Sequence, residues 1–406
     1  MAFEPLDAAR GDGRGMTRVD VLVVGAGPAG SALAAGLARA GASVLVVEAA
    51  AHPRPKACAE YASPRIVEEL ARLGLDPAWT DAAVRLRGMD LHAGGHVTPI
   101  RYAGVRGRRR DAWGVDRRSF DALLAQHATE SGAQVRERTR AVALATERGR
   151  VAGVRLRDVA SGREEAVRAT WTIGADGARS TLSRLLGVDR HVRFPRRLGL
   201  VAHYAGVPEL TDHGEMHVGG AFYVGLAPTP GGELNVGMAL PMNGRAGRTT
   251  KRYETAIAAI PAVARRLAGS RRLSPIRGAA PIGHRVAEVA GPGWLLVGDA
   301  AGFVDPFTGE GIHRALRSAR AATNAILGGG DVGLAYRRER RAAFAAKSVL
   351  SWLVQCVLAS PPLMSHAVAR LEGRPRAALR LGSALGDCQP ATMALSPRAL
   401  LEVLAP

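Results

Sequence analysis

A glycine-rich turn near the start of the chain has the composition and spacing of a phosphate-binding loop. Gly25, Gly27 and Gly30 directly follow the apolar run at residues 19–24, and Glu48 lies 23 positions after the first glycine. Such glycines allow a sharp turn, a close approach to a pyrophosphate and tight packing of a helix on a sheet. The helix N-terminus then faces the anion, and the acid accepts hydrogen bonds from ribose hydroxyls. The pattern favours a dinucleotide site over a plain glycine-rich turn, and the acid favours an unphosphorylated ribose, as in FAD or NAD, over the phosphorylated ribose of NADP.

Two further motifs place an acid where an apolar strand ends. Asp176-Gly177 follows one such run, and Gly298-Asp299 ends another. A carboxylate at the carboxyl edge of a sheet could bind a ribityl hydroxyl. The glycines of the next segment, residues 305–312, open a helix whose amides could face a flavin edge that becomes negative on reduction.

The elements that must hold these motifs follow from apolar periodicity. Residues 19–50 predict a βαβ unit, and a hairpin is expected over 151–173. Strands are indicated over 84–113 and 198–240, and helices over 119–131, 252–268, 311–327 and most of the chain after 334. Because no repeat and no clean linker is evident, the domains are expected to interleave.

Composition excludes several function classes. The chain has 406 residues, of which 47% are hydrophobic, so a sizeable core is expected. The net charge of +19 is carried by arginines scattered along the chain, which favours anionic small molecules over nucleic acid. Three cysteines without CxxC spacing predict no disulfide framework and, with the histidine pairs His92/His96 and His213/His217 in glycine-containing segments, no metal site.

Membrane and targeting signals are weak. Residues 21–38 lack charge, but they contain a strand, a glycine turn and a helix rather than one span. The uncharged stretch 348–369 is interrupted by Pro361-Pro362. We therefore expect a cytoplasmic protein with at most peripheral membrane contact, preceded by a disordered extension over residues 1–18.

Together, the three motifs in this order and spacing resemble the FAD-dependent aromatic-hydroxylase superfamily. Residues 115–121, with Arg117 ahead of Phe120-Asp121, resemble its conserved helix start, where the arginine lies near FAD. The resemblance covers about residues 19–345 and implies an α/β fold. It implies a Rossmann-like FAD-binding domain (GR2 type) at 19–83, 114–190 and 275–345, an inserted β-sheet substrate domain at 84–113 and 191–274, and a helical C-terminal tail at 346–406.

The loop at residues 54–64 is most similar to the geranylgeranyl-reductase-like branch, in which the cysteine corresponding to Cys58 lies near the flavin. Of that branch's substrate-domain motif only Tyr223 and Pro228 are kept, and the loss of two large aromatics should reshape the pocket. The halogenase motif is absent. The resemblance implies catalytic roles for Cys58, Tyr223, Pro306, Gly309 and Glu310. It implies FAD contacts from Gly25, Gly27, Pro28, Ala29, Gly30, Glu48, Ala49, Lys56, Ala57, Arg117, Asp176, Gly177, Gly298, Asp299, Gly309, Gly311 and Ile312.

Three activities are compatible with this resemblance. The favoured one is a monooxygenase that transfers oxygen from a flavin C4a-hydroperoxide to a hydrophobic small molecule, with NADPH or NADH as donor. Because no second GxGxxG follows a strand, no dedicated nicotinamide domain is expected. The alternative is a C=C reductase or dehydrogenase of an isoprenoid or polyketide, with a ferredoxin or reductase as donor. The third is a flavin-binding protein without turnover, against which the complete 306–311 loop argues. For Cys58, inert packing is the alternative to a chemical role.

Overall fold

The protein is described by a computed structural model that covers residues 17–75, 77–242 and 249–404. Most of the predicted disordered extension lies outside these residues, so it stays a prediction. Its last two positions begin the first strand, Thr17–Val24.

A first sheet of eight strands contains the predicted βαβ unit. The strand Thr17–Val24 pairs in parallel with Val44–Val47 on one side and with Glu164–Gly174 on the other. The inner strands are valine-rich and largely buried, as parallel strands covered by helices usually are. The strand order is Gln134–Arg136, Val44–Val47, Thr17–Val24, Glu164–Gly174, Arg150–Asp158 and Thr139–Glu147, with Trp294–Leu296 pairing to Glu164–Gly174 and Ala290–Gly291 to Trp294–Leu296.

Three helices cover this sheet and form the largest apolar core with it. Pro28–Arg39 packs between Arg117–Glu130 and Gly311–Gly328. Pro28 occupies the first turn, where its missing N–H has no consequence. Asp116 caps the second helix by accepting hydrogen bonds from two amides of its first turn. The predicted helices over 119–131 and 311–327 are thus confirmed.

A second, mostly antiparallel sheet is built from two separate stretches of chain. Its order is Arg271–Arg272, Arg197–Ala205, Glu233–Pro241, Tyr223–Thr229, Gly214–Val218, Met89–Ala93 and His96–Ile100, with Arg277–Ala279 also pairing to Arg197–Ala205. One face packs on the helices Thr249–Ala258 and Pro261–Arg266. The predicted single helix over 252–268 is therefore two helices, because Pro261 starts a new one. Because Arg277–Ala279 pairs with this sheet, we propose that the domain boundary lies after residue 279 rather than 274.

The C-terminal part is helical, as predicted. The helices are Val332–Leu358, Pro361–Glu372, Pro375–Leu385 and Pro397–Leu404, and the middle two pack on the edge strand His96–Ile100. Within the described ranges, Val332–Leu358 alone is long and apolar enough to cross a membrane by length and composition, a test that core helices also pass.

Short elements join these layers, and the α/β architecture predicted from the sequence is confirmed. The short strands are Tyr61–Ala62, Ala83–Leu86, Tyr102–Ala103, Arg109–Arg110, Ala112–Val115, Asp189–Arg190 and Arg285–Val286. The short helices are Ile66–Arg72 and Thr181–Leu185, with 3-10 turns at Ala78–Ala82, Pro230–Gly232, Gly298–Ala301, Pro306–Thr308 and Ala391–Met393.

Candidate functional site

A cavity of about 890 Å³ lies between the two sheets. The carboxyl ends of the parallel strands in the first sheet open into it, and one face of the second sheet forms its opposite wall. Ligands of open α/β sheets bind outside the carboxyl ends of the strands. The cavity is therefore the candidate site. With the exceptions of Gly30 and Glu310, every site residue predicted from the sequence lines it.

The glycine turn has the shape needed for a pyrophosphate. Gly25 has φ +106°, and a Cβ there would lie 2.5 Å from the Ala175 carbonyl oxygen. At Gly30 a Cβ would lie 1.9 Å from the Gly25 oxygen, so close packing of the helix on the turn requires glycine. Around Gly27, by contrast, the nearest described atom is an Arg54 nitrogen at 3.7 Å. The turn is thus closed toward the sheet and open toward the cavity.

Glu48 lies at the end of the second parallel strand, as predicted. Its Oε2 accepts hydrogen bonds from the Ala26 amide at 3.0 Å and from Arg54 Nη2 at 3.3 Å, and its Oε1 accepts from the Ala50 amide at 3.1 Å. These contacts hold the carboxylate beside the glycine turn, where ribose hydroxyls of a bound dinucleotide would reach it. Arg54 was not predicted as a site residue, although it lies with Lys56 in the loop at residues 54–64.

Asp176 has a carboxylate oxygen that a ligand would satisfy. Its Oδ2 accepts hydrogen bonds from the amides of Thr181 at 2.6 Å and Leu182 at 3.2 Å. Its Oδ1 is buried and has no hydrogen-bond partner within the described chain. Burial raises the pKa of Asp176 despite these hydrogen bonds. An unpaired buried acceptor is costly, so a donor supplied by a ligand fits here. Asp299 lines the same cavity on the 3-10 turn Gly298–Ala301.

The segment before the helix Gly311–Gly328 leaves that helix N-terminus open. Gly309 has φ +67°, and a Cβ there would lie 2.7 Å from Cδ1 of the Tyr61 ring. A Cβ on Gly311 would meet no described atom within 4 Å. The helix start lacks a side-chain cap among the described residues, and Gly311 and Ile312 line the cavity. Its free amides can therefore face a negatively charged ligand edge.

A buried charge network lies beneath the loop at residues 54–60. Arg117 donates to both oxygens of Asp121, at 2.7 and 2.9 Å, and Arg54 lies 3.7 Å from the same carboxylate. Burial lowers the pKa of Arg117, but the Asp121 charge and a contact with Cys58 outweigh it and raise the pKa. Burial and the Arg117 charge lower the pKa of Lys56. Three cationic side chains thus line the cavity beside Cys58.

A carboxylate, a histidine and an amide form a second polar group beside Cys58. The Nε2 of His203 lies 2.7 Å from Glu60 Oε2, and Asn235 Nδ2 donates to the same oxygen at 2.9 Å. Asn235 Nδ2 also lies 3.0 Å from the Cys58 carbonyl oxygen. Glu60 Oε1 accepts from the Arg117 amide at 3.2 Å. This group was not predicted from the sequence, because only Glu60 lies in a motif and the other two residues come from distant strands.

Tyr223, Pro306 and Gly309, predicted as catalytic, all line the cavity. The Tyr223 hydroxyl donates to Asp305 Oδ1 at 2.6 Å, and burial together with the Asp305 charge raises its pKa well above the ordinary range. Arg197 donates to the other Asp305 oxygen at 2.7 Å. Tyr223 therefore lines the cavity, while its hydroxyl keeps its proton and donates it in the hydrogen bond to Asp305.

Glu310 was predicted to be catalytic, but its side chain is not part of the cavity lining. Its carboxylate lies outside the described cavity lining, 3.1 Å from Lys347 Nζ and 3.3 Å from Ser351 Oγ. Arg314 lies 3.5 Å away on the next helical turn. Glu310 therefore ties the cavity loop to the helix Val332–Leu358, because the buried Lys347 needs a counter-charge.

The cavity wall on the second sheet includes several small residues. Gly225 and Gly237 face each other across neighbouring strands, and Val201 pairs with Gly237 on the far side. Gly199 and Ala227 extend the same wall. Gly225 and Ala227 occupy positions where the resembled branch has large aromatics, so small residues stand in this part of the wall.

One histidine from each of the two pairs noted in the sequence, His92 and His217, lies outside the cavity lining, and the two are in contact. The rings of His92 and His217 stack with centroids 4.1 Å apart, and Glu215 Oε2 lies 2.8 Å from His217 Nε2. The three donor groups are close enough for a metal ion. However, Arg266 lies 2.7 Å from the other Glu215 oxygen and already supplies that carboxylate with a positive charge. The group is therefore interpreted as an ion-pair network.

The chain has been compared with protein families and with known proteins. The FAD binding domain family matches residues 18–343. The menaquinone reductase of Mycolicibacterium smegmatis is 36% identical over 331 residues, covering 77% of this chain and 78% of that protein. The digeranylgeranylglycerophospholipid reductase of Methanosarcina acetivorans is 31% identical over 325 residues, covering 78% and 77%.

Solved structures share the fold. A geranylgeranyl bacteriochlorophyll reductase-like protein from Thermoplasma acidophilum superposes with a TM-score of 0.78 at 24% identity, covering 96% of this chain and 100% of that one. A flavin-dependent brominase superposes with a TM-score of 0.80 at 21% identity, covering 95% and 99%. At this level of identity the superpositions establish the fold alone.

Proposed function

The chain is an FAD-dependent oxidoreductase that belongs to the FAD binding domain family, in the geranylgeranyl-reductase-like branch of the aromatic-hydroxylase superfamily, and we propose that it reduces a carbon–carbon double bond of an isoprenoid. The predicted α/β fold, with its Rossmann-like FAD-binding domain, β-sheet domain and helical C-terminal part, is confirmed. The reaction itself is the proposal.

The residues around the cavity fit FAD. The glycine turn would receive the pyrophosphate, and Glu48 and Asp299 would accept hydroxyl hydrogen bonds from the ribose and ribityl groups. The open start of the helix at Gly311 would face the pyrimidine edge of the flavin. When bound, FAD supplies the hydride that a reductase needs.

One observation carries the proposal of double-bond reduction. Cys58 is a thiol in the cavity wall, and Arg117 lies in contact with it. A thiol that gives a proton to carbon becomes a thiolate, and a neighbouring guanidinium stabilises that charge. Oxygen transfer needs no such proton donor. We therefore assign Cys58 the proton that accompanies hydride addition.

The substrate class follows from the opposite wall. Gly225 leaves room along the second sheet, because a Cβ there would meet no described atom closer than 3.4 Å, and Ala227 lines the cavity on the same strand. Such a wall suits a long apolar chain. The relatives named above are reductases of menaquinone and of a geranylgeranylated phospholipid, which supports an isoprenoid lipid.

The sequence analysis favoured a monooxygenase, and that preference has no support from the named relatives. Oxygen consumption with formation of an oxygenated product would distinguish a monooxygenase from a reductase. The electron donor is a further proposal: NADPH or NADH would act at the flavin face, with a ferredoxin or reductase as the alternative. Cytoplasmic location with peripheral membrane contact stays a prediction.

The test uses FAD-loaded protein reduced with dithionite without oxygen. The probe is menaquinone with a four-unit isoprenoid chain, and mass spectrometry follows the addition of two hydrogens to that chain. We expect reduction by the wild type and its loss in Cys58→Ala, with flavin content unchanged. Cys356→Ser is the matched control, because Cys356 is an exposed thiol outside the cavity lining. Full activity of Cys58→Ala, or hydroxylated product with oxygen uptake, would contradict the proposal.

A further inference from the structure

We propose that Glu60 and His203 form a proton-delivery pair that restores the Cys58 thiol after each reduction. This inference rests on the proposed function, since it gives the Cys58 proton a source. It assigns the two residues a role that neither the sequence motifs nor the relatives indicate.

His203 lies between the protein surface and the buried Glu60 carboxylate. The side chain of His203 is 22% exposed, whereas that of Glu60 is 2% exposed. His203 Nδ1 lies 3.4 Å from the hydroxyl of Ser274, and its Nε2 lies 2.7 Å from Glu60 Oε2. Because a carboxylate only accepts, Nε2 carries a proton directed at Glu60. The imidazole therefore connects the solvent side of the strand with the buried carboxylate.

Glu60 is held next to the thiol by its own backbone. Its φ of +57° is a left-handed conformation that a non-glycine residue adopts only under constraint. In this turn the Glu60 amide donates to Cys58 Sγ at 3.4 Å, and the two side chains line the same cavity. Asn235 ties the carboxylate to the Cys58 carbonyl. The turn thus places the Glu60 backbone against the thiol, while the Glu60 carboxylate is held by His203 and Asn235.

The charges around the pair suit proton storage. His203 faces the carboxylates of Glu60, Glu233 and Asp116, and the hydrogen bond to Glu60 raises the His203 pKa against the effect of burial. Glu60 also faces the Arg117 amide, and the Arg117 side chain faces Cys58. The imidazole consequently stays protonated closer to neutral pH than an ordinary histidine.

The proton balance closes with these groups. One alkene carbon receives a hydride from the reduced cofactor, and the other receives the thiol proton as the S–H bond breaks. The thiolate then takes a proton that leaves the Glu60–His203 pair across the shared cavity. His203 regains a proton from solvent. The net change is the addition of one hydride and one solvent proton to the double bond.

The first test reads the thiol directly and needs no substrate. In a Cys356→Ser background, the rate at which iodoacetamide alkylates Cys58 is measured against pH in the FAD-loaded protein. We expect two ionisations in the parent, of which the lower belongs to the pair, and a single ionisation in His203→Gln. An unchanged two-step profile in His203→Gln overturns the proposal, whatever the substrate.

The second test follows turnover of the menaquinone probe. His203→Ala should slow repeated double-bond reduction about 100-fold, the usual contribution of a positioned acid or base. Flavin reduction should stay normal, and added imidazole should restore turnover. Glu60→Gln should behave like His203→Ala without rescue. The matched control is His96→Gln, which breaks an exposed histidine–glutamate pair of 2.8 Å elsewhere on the protein.

The outcomes separate the two proposals. Loss of activity in Cys58→Ala together with normal turnover and pH profile in His203→Ala would overturn the delivery pair and leave the reductase intact. Full activity of Cys58→Ala would instead overturn the reductase mechanism. If His203→Ala retains FAD and its melting temperature but imidazole does not restore its turnover, the pair has no proton role.

Discussion

The hydroxyl of Tyr223 donates a 2.6 Å hydrogen bond to Oδ1 of Asp305, a carboxylate whose other oxygen accepts from Arg197. The second sheet supplies Tyr223 and Arg197, and Asp305 begins the segment that leads to the open helix start at Gly311. The amide of Phe307 donates to Asp305 Oδ1 as well, at 3.0 Å. One buried acid therefore joins the substrate-side wall to the proposed flavin-binding segment.

This contact predicts a positioning role for Tyr223 rather than proton transfer. Tyr223→Phe keeps the ring in the cavity and removes a hydrogen bond to a charged partner, so it should lower the free energy of unfolding by about 1.5–3 kcal/mol. Activity should fall by less than 10-fold. Urea unfolding and turnover of the menaquinone probe check both. A loss of activity beyond 100-fold at an unchanged free energy of unfolding would show that Tyr223 takes part in catalysis.

Asp299 is predicted to hold the cofactor. Asp299→Ala should purify with much less flavin, because a hydroxyl acceptor in the cavity is lost, and should need more added FAD to saturate. The measurement is flavin absorbance per protein and titration of the apoprotein with FAD. Asp81→Ala, an exposed position on a 3-10 turn outside the cavity lining, is the control. Equal FAD affinity of the two variants would argue against this role.

Gly225 is predicted to determine how wide a substrate the cavity accepts. A Cβ at Gly225 would meet nothing closer than Met216 Cε at 3.4 Å among the described atoms, so Gly225→Ala should resemble the wild type. Gly225→Trp should fill the wall, raise KM for the long-chain probe at least 10-fold and leave FAD binding unchanged. Equal KM values for the tryptophan variant and the wild type would place the substrate elsewhere.

The ion pairs of Glu215 should stabilise the folded protein at neutral pH and lose this effect in acid. Burial raises its pKa, but hydrogen bonds and charge from His217 and Arg266 outweigh that and lower it to about 2. Because the folded pKa is below the ordinary 4.5, the stabilisation is present above 4.5 and is lost as the pH falls toward 2. Glu215→Gln should therefore lower the melting temperature at neutral pH, and this difference should shrink as the pH falls below the ordinary value.

The matched control for that experiment is Glu372→Gln, which breaks the exposed pair with His96. Solvent screens that pair, so a much smaller change is expected. A Glu215→Gln difference that does not vary with pH would show that packing rather than charge is responsible.

The sequence by itself determined the features that depend on local backbone chemistry. The turn at Gly25 needs a positive φ, which glycine adopts readily, so its glycines mark the dinucleotide end of the site without tertiary information. The acid at Glu48 follows from the same βαβ unit. The helix start at Gly311 is also a local signal, and the structure places it at the cavity as the sequence predicted.

Tertiary structure alone decided which polar groups meet. Glu60 lies 143 positions before His203 and 175 before Asn235, and only the register of the second sheet brings the two strand residues under the Cys58 loop. The orientation of Glu310 was decided in the same way, because Lys347 on a later helix draws its carboxylate out of the cavity. Such pairings depend on strand register and helix docking, which local residue preferences do not specify.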